Sequence, residues 1–172
     1  MNRRVAKFYK VDFNEFKGAW KDKFPMDSDE KIKDIYDNIK LPKRATTGSM
    51  GYDFYAPTDI VLSAGQTITI PTGVGIKFIE EGWGLFCLPR SGLGFKYRLQ
   101  LDNTVGVIDE DYVHADNGGY IFEKVTNDSK EKKLVKVARG QGFCQGIILL
   151  YGLTVDDDTT EQRTGGFGST TK

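Results

Sequence analysis

The sequence is poor in cysteine, histidine and proline, with two, one and five residues among 172, and it has no excess of either charge. Cys87 in LFCLP and Cys144 in GFCQGII are too few and too scattered for a disulfide framework or a zinc site; their apolar neighbours mark them as reduced core thiols. Lys plus Arg equals Asp plus Glu at 24 each, so no global basic field is available to hold nucleic acid non-specifically. No run approaches the roughly 18 apolar residues of a membrane span. The basic start MNRRVAKFYKVDF lacks the continuous apolar segment of a signal peptide, so a cytoplasmic protein is expected.

What remains is 39% apolar content, enough for one sizeable core. VAKFYKV at 5–11 reads as a first strand. A cap-like Asp-Ser-Asp precedes Glu30, and Ile32, Ile35, Tyr36 and Ile39 recur on one face, which predicts a helix from Asp27 to Ile39, ended by Leu41-Pro42. After Thr47 short runs rich in Val, Ile, Thr and aromatics alternate with Gly, Pro and Asp, the texture of a β sandwich or barrel. Strands are expected at 52–56, 60–62, 67–71, 75–78, 84–88, 99–101, 106–108, 120–126, 134–137 and 142–152, with Asn127-Asp128-Ser129-Lys130 as a hairpin turn. The fold class is mostly β, with one short helix in an N-terminal insertion at about 12–41. Residues 1–152 form one domain and 153–172, acidic and then Gly-rich, a mobile tail.

Three segments carry chemistry on their own terms. The turn Pro89-Arg90-Ser91-Gly92 offers a guanidinium, a hydroxyl and approachable backbone N–H groups to a phosphate. In DNTVGVIDEDY, Val105, Val107 and Asp109 alternate with Gly106 and Ile108, a strand that delivers a carboxylate to a hairpin mouth. That carboxylate is ionised at neutral pH and can accept a proton from water. The end RTGGFGSTT combines a Gly-rich backbone able to close over phosphates, the charge of Arg163 and an aromatic ring, Phe167, able to stack on a base.

Together with ATTGSMGYDFYAP and GQGFCQG, these segments stand in an order that resembles the five motifs of the trimeric dUTP pyrophosphatases (dUTPases), over about three quarters of the chain between Ala45 and Thr171. The resemblance implies a distorted jelly-roll β barrel, a homotrimer with sites at subunit boundaries, magnesium as cofactor, and hydrolysis of dUTP to dUMP and pyrophosphate. It gives Asp53 the metal through a water, and Arg90, Ser91, Gly92 and Gln145 the phosphates. Asn103 and the backbone of Gly106, Val107 and Ile108 would read the uracil edge, and Tyr112 would lie under the deoxyribose where a 2′-hydroxyl collides. Asp109 becomes the base that activates water and receives the 3′-hydroxyl. Arg163, Phe167, Gly168, Ser169 and Thr170 belong to a tail that covers a neighbouring subunit's nucleotide.

Four departures stand out. Met50 replaces the family's usual Ala, Thr171 its last Gly, and Gly142 the Arg of the fourth motif, which Arg139 three residues earlier does not replace. YVHADNGGYI is a longer form seen in Gram-positive and phage relatives, and it leaves His114, the single histidine, as a surface loop residue. Two rivals are weighed. The dCTP deaminase branch of the superfamily is disfavoured by Gly-Val-Ile-Asp-x-Asp-Tyr and by Arg-Ser-Gly where deaminases have Arg-Ser-Ser. A phage-type dUTPase acting mainly as a repressor-binding regulatory protein would make contacts through residues 12–41, whose plainer role is packing against the barrel.

Overall fold

A computed structural model describes residues 3–161, 163 and 165. Ten strands and three α-helices follow one another: β1 (Ala6–Lys10), α1 (Phe13–Lys23), α2 (Asp29–Asp37), β2 (Tyr52–Tyr55), β3 (Ile60–Leu62), β4 (Thr67–Phe78), β5 (Trp83–Pro89), α3 (Ser91–Tyr97), β6 (Leu99–Leu101), β7 (Gly106–Ile108), β8 (Tyr120–Asn127), β9 (Val135–Val137) and β10 (Gly142–Leu150). They build one four-stranded sheet in the order β1-β4-β8-β6, another in the order β2-β10-β5-β7, and a ribbon β3-β9. All ladders are antiparallel. The alternation of Ile and Val with polar residues puts Ile70 and Ile76 of β4, Ile121 and Val125 of β8, Phe54 of β2, Leu85 of β5 and Phe143 of β10 into one buried cluster, which is the jelly-roll core. The sheets face each other as a sandwich and do not close into one continuous cylinder.

The structure corrects the sequence reading in four places. The insertion holds two helices: α1 precedes the expected one, with Asp12 as N-cap accepting from Asn14 N at 2.8 Å, and Phe16 and Trp20 fully buried one turn apart. A third helix, α3, follows Arg90 despite Gly92 and Gly94, and ends at Arg98 in the left-handed region (φ 53°). The two strands expected at 67–71 and 75–78 are one, bulged between Pro71 and Gly75 where Gly73 takes φ +72°. Asn127 begins a turn, but no hairpin: β8 pairs with β4 and β6, whereas β9 pairs with β3. The buried Asn127 amide donates to Leu62 O and Lys133 O, both at 2.8 Å, and so ties the three elements together.

A second buried cluster, Val11, Phe16, Trp20, Ile32, Ile35 and Tyr120, packs the insertion onto the barrel. No helix among the described residues is long and apolar enough to cross a membrane. Residues 157–161 adopt neither helix nor strand.

Candidate functional site

The end of β5 gathers the groups that the sequence resemblance assigns to phosphate. Pro89 leads into the Arg90-Ser91-Gly92 turn, and Arg90 Nε donates to Asp53 Oδ1 at 3.1 Å. Asp53 on β2 lies opposite Gln145 on β10, whose Nε2 donates to Pro89 O at 3.1 Å. A Cβ on Gly51 would stand 2.5 Å from Gln145 Oε1, so glycine is what lets that amide lie across the strand. Arg90, Ser91, Gly92 and Gly142 line a cleft of about 500 Å³, together with Lys136 of β9, a second cation that the sequence marked only by its outward place between Val135 and Val137. A Cβ on Gly142 would lie 3.3 Å from the Arg90 guanidinium: where the family carries an arginine, this chain leaves the space to Arg90. Arg139 turns away, binding Asp34 Oδ2 at 2.7 Å.

Among the described residues no three His, Cys, Asp or Glu side chains form a metal cage. One carboxylate beside hydrogen-bond donors, Asp53 with Arg90 and Ser91, would fit a magnesium ion that keeps its waters and is bound largely through phosphates.

A second pocket lies along β7. Gly106 pairs with Cys87 and Ile108 with Leu85, and a Cβ on Gly106 would come within 3.1 Å of the Cys87 Cβ. Asn103, Gly106, Val107 and Ile108 form one wall of a cavity of about 500 Å³; Lys23 of α1 and Glu123 of β8 also line it. The helix was missing from the sequence reading, and so was its contribution here. Glu123 did carry a signal, a carboxylate at an inward position of the alternating strand Tyr120–Asn127.

Asp109 follows β7 and opens a 3-10 turn, Glu110–His114. Tyr112 is buried beneath it: its hydroxyl donates to Tyr120 O at 3.1 Å and accepts from Asn117 Nδ2 at 2.8 Å, and burial raises the phenol above its ordinary range. Arg163 returns from the tail to this end. It forms an ion pair with Asp109, donates from Nε to Asp111 Oδ1 at 2.8 Å, and lies 5.8 Å from the Tyr112 ring centroid. The bond to Asp111, with the charges of both aspartates, raises the guanidinium further above its ordinary value. Phe167, Gly168, Ser169 and Thr170 lie outside the described residues. His114 is exposed on the far side of the turn, beside Lys77 and Glu80. His114→Ala is therefore expected to leave kcat and KM within about twofold across the pH range, since surface substitutions away from such features are near neutral; steady-state rates at several pH values check it.

The structure brings Asp53, Arg90, Ser91, Gly92 and Gln145 together at one end of β5, and Asp109, Tyr112 and Arg163 at the other. Ile108 pairs with Leu85, so Asp109 lies beyond the start of a strand whose far end is Arg90. At about 3.3 Å per residue the two groups stand roughly 15–20 Å apart. Within one chain these two halves of the expected site do not close on each other.

Comparison with known proteins gives these halves a family. The family model described as dUTPase matches residues 37–171, from the end of α2 into the tail. The deoxyuridine 5′-triphosphate nucleotidohydrolase of Paraburkholderia phymatum is 36% identical over 154 residues, 86% of this chain and 99% of the relative. That of Lactococcus lactis is 38% identical over 136 residues, 77% of this chain and 88% of the relative. The crystal structure of the Streptococcus mutans dUTPase superimposes with a TM-score of 0.57 at 35% identity, over 66% of this chain and 88% of that one. A dUTPase from phage phi11 of S. aureus, whose structure has a structural Mg(II) ion, shares the fold with a TM-score of 0.57 at 20% identity, over 72% and 92%. With the motifs in their order and the jelly-roll core beneath them, the chain belongs to the dUTPase family.

Proposed function

We propose that this enzyme hydrolyses dUTP to dUMP and pyrophosphate by attack of water on the α-phosphorus, in a homotrimer whose sites are completed between subunits. The observation that carries the assembly is the separation of the two half-sites along β5. Because the Arg90 end of one chain does not reach its own Asp109, a head-to-tail contact with a second copy supplies the missing half, and three such contacts close a ring.

In the completed site Asp109 accepts the proton of the attacking water and receives the 3′-hydroxyl. The new oxygen–phosphorus bond forms as the bond to the α,β-bridging oxygen breaks, and pyrophosphate leaves with that electron pair. Arg90, the Ser91 hydroxyl, Gly92 N–H and Gln145 hold the phosphates, with Arg163, Phe167, Gly168, Ser169 and Thr170 closing over them. Asp53 would hold magnesium through a water, and the bound ion would neutralise charge on the triphosphate. Asn103 and the backbone of Gly106, Val107 and Ile108 read the base. The Arg163 guanidinium over Tyr112 must lift before a sugar can settle on the ring.

If the ring enforces deoxyribose, Tyr112→Ala raises the UTP-to-dUTP ratio of kcat/KM by about tenfold or more, the scale of one contact of 1–3 kcal/mol; an unchanged ratio moves that role elsewhere. The central test gives the protein each dNTP and UTP with magnesium and follows pyrophosphate and ammonia. Pyrophosphate from dUTP alone is expected, and ammonia from dCTP would overturn the assignment. Sedimentation equilibrium checks the trimer mass.

A further inference from the structure

Glu123 sits oddly for a carboxylate. It occupies an inward position of β8, opposite Ile70 of β4, and is 3% exposed. Its Oε1 has no hydrogen-bond partner among the described residues. Leaving a buried polar atom unmatched costs about 1–3 kcal/mol, and an unpaired charge there costs more. Asp53 and Asp109, by contrast, each have an arginine. Glu123 lines the same cavity as Asn103, Gly106 and Ile108, the wall assigned above to the base.

We propose that Glu123 is a specificity-determining residue for the base, whose carboxyl, carried as the neutral acid, donates a hydrogen bond to the C4 carbonyl oxygen of uracil. This rests on the reading of Asn103 and residues 106–108 as the base-binding edge. Uracil presents a carbonyl at C4 where cytosine presents an amino group. A neutral carboxyl has a proton for that carbonyl, whereas a carboxylate has only lone pairs, which repel a carbonyl and accept from an amine.

The surroundings keep the proton on. Burial drives the Glu123 carboxyl up to about 7, and the hydrogen bond with Cys87 offsets only part of that rise. From β5 and β10 the groups facing it are the Cys87 and Cys144 thiols, both pushed up by burial and then by Glu123 itself, and therefore neutral. Asp22 and Lys23 of α1 lie across the cavity as one negative and one positive charge, and Asp102 is paired with Lys124 at 2.9 Å. From β4 Thr69 and Ile70 come near, neither of which titrates. Among the described residues no cation forms an ion pair with Glu123: Lys124 is held by Asp102, and Lys23 stands beside Asp22 on α1.

The test measures kcat and KM for dUTP, and inhibition by dCTP, from pH 6 to pH 8.5 in the full chain with magnesium. The KM for dUTP is expected to rise through pH 7 toward about tenfold per pH unit, the limit for a ligand that needs one bound proton, while dCTP inhibition holds or tightens. Glu123→Gln, which keeps a donor at every pH, flattens the KM profile and leaves kcat in place. Glu123→Leu, which fills the core without a donor, raises KM about tenfold at pH 6. Parallel KM profiles in wild type and Glu123→Gln, or an unchanged KM at pH 6 in a folded Glu123→Leu protein, overturn the proposal. Absence of any dUTP turnover by wild type at pH 6 instead overturns the assigned activity on which it rests.

Discussion

Asp109→Asn is expected to lower kcat for dUTP by about a thousandfold or more while dUTP affinity changes by less than about tenfold, within the range for loss of a general base. The amide keeps the shape and hydrogen-bonding reach of the carboxylate but cannot take the water's proton. Single-turnover release of pyrophosphate measures the first quantity, and titration with a non-hydrolysable dUTP analogue the second. Full turnover in the variant would remove Asp109 from the chemistry. The substitution also removes the charge that Arg163 meets in the substrate-free chain. Asp109 is half exposed, so that loss shifts stability by no more than about 1 kcal/mol and does not masquerade as a catalytic defect.

Deletion of residues 163–172 is the second large effect. The segment has one large apolar side chain, Phe167, so folding and trimer mass should survive. Turnover is expected to fall by on the order of a hundredfold or more, as the phosphates lose the Arg163 charge and the Ser169 and Thr170 donors and the site admits water. Arg163→Ala alone should reproduce part of the fall. The ion pair seen here sharpens the interpretation: it occupies the carboxylate that the attacking water needs, so the pair belongs to the resting chain and must open when triphosphate competes for the arginine. Trimers reassembled from tail-deleted and Asp109→Asn chains are expected to regain part of the activity, because a donated tail then meets an intact Asp109. No recovery despite subunit exchange would assign each tail to its own subunit.

How far the sequence could be read depended on the kind of signal each residue left. The place of Asp109 at the end of β7 and the other strands were legible because Ile, Val and Thr alternate about a core, whereas the segment after Arg90 read as a turn and is helix α3. Helix α1 was not, since Gly18 and Lys17 interrupt its face and only Phe16 and Trp20 commit to the interior. The bulge that joins two expected strands into β4 depends on Gly73, which reads as a breaker until the packing above it is known. Lys136 and Glu123 were missed for a different reason: their significance comes from neighbours distant in sequence, the Arg90 cleft and the wall of β7. The separation of the half-sites is a matter of strand register, which no local pattern states.

The seam between insertion and barrel bears on how the molecule comes apart. A Cβ on Gly73 would lie 2.2 Å from Ile39 Cδ1 and 3.2 Å from Phe16 Cδ2, so the bulge of β4 is pressed directly against the insertion. Tyr120, a residue of the barrel strand β8, is buried in the insertion's cluster, and the Tyr36 hydroxyl of the insertion donates to Val11 O, just past β1, at 2.7 Å. Helices α1 and α2 bury Phe16, Trp20, Ile32 and Ile35 in an interior that shares Tyr120 with the barrel. That shared contact is expected to couple the two, so that heat melts insertion and barrel in one cooperative step, which calorimetry checks, although the family model covers little of the insertion.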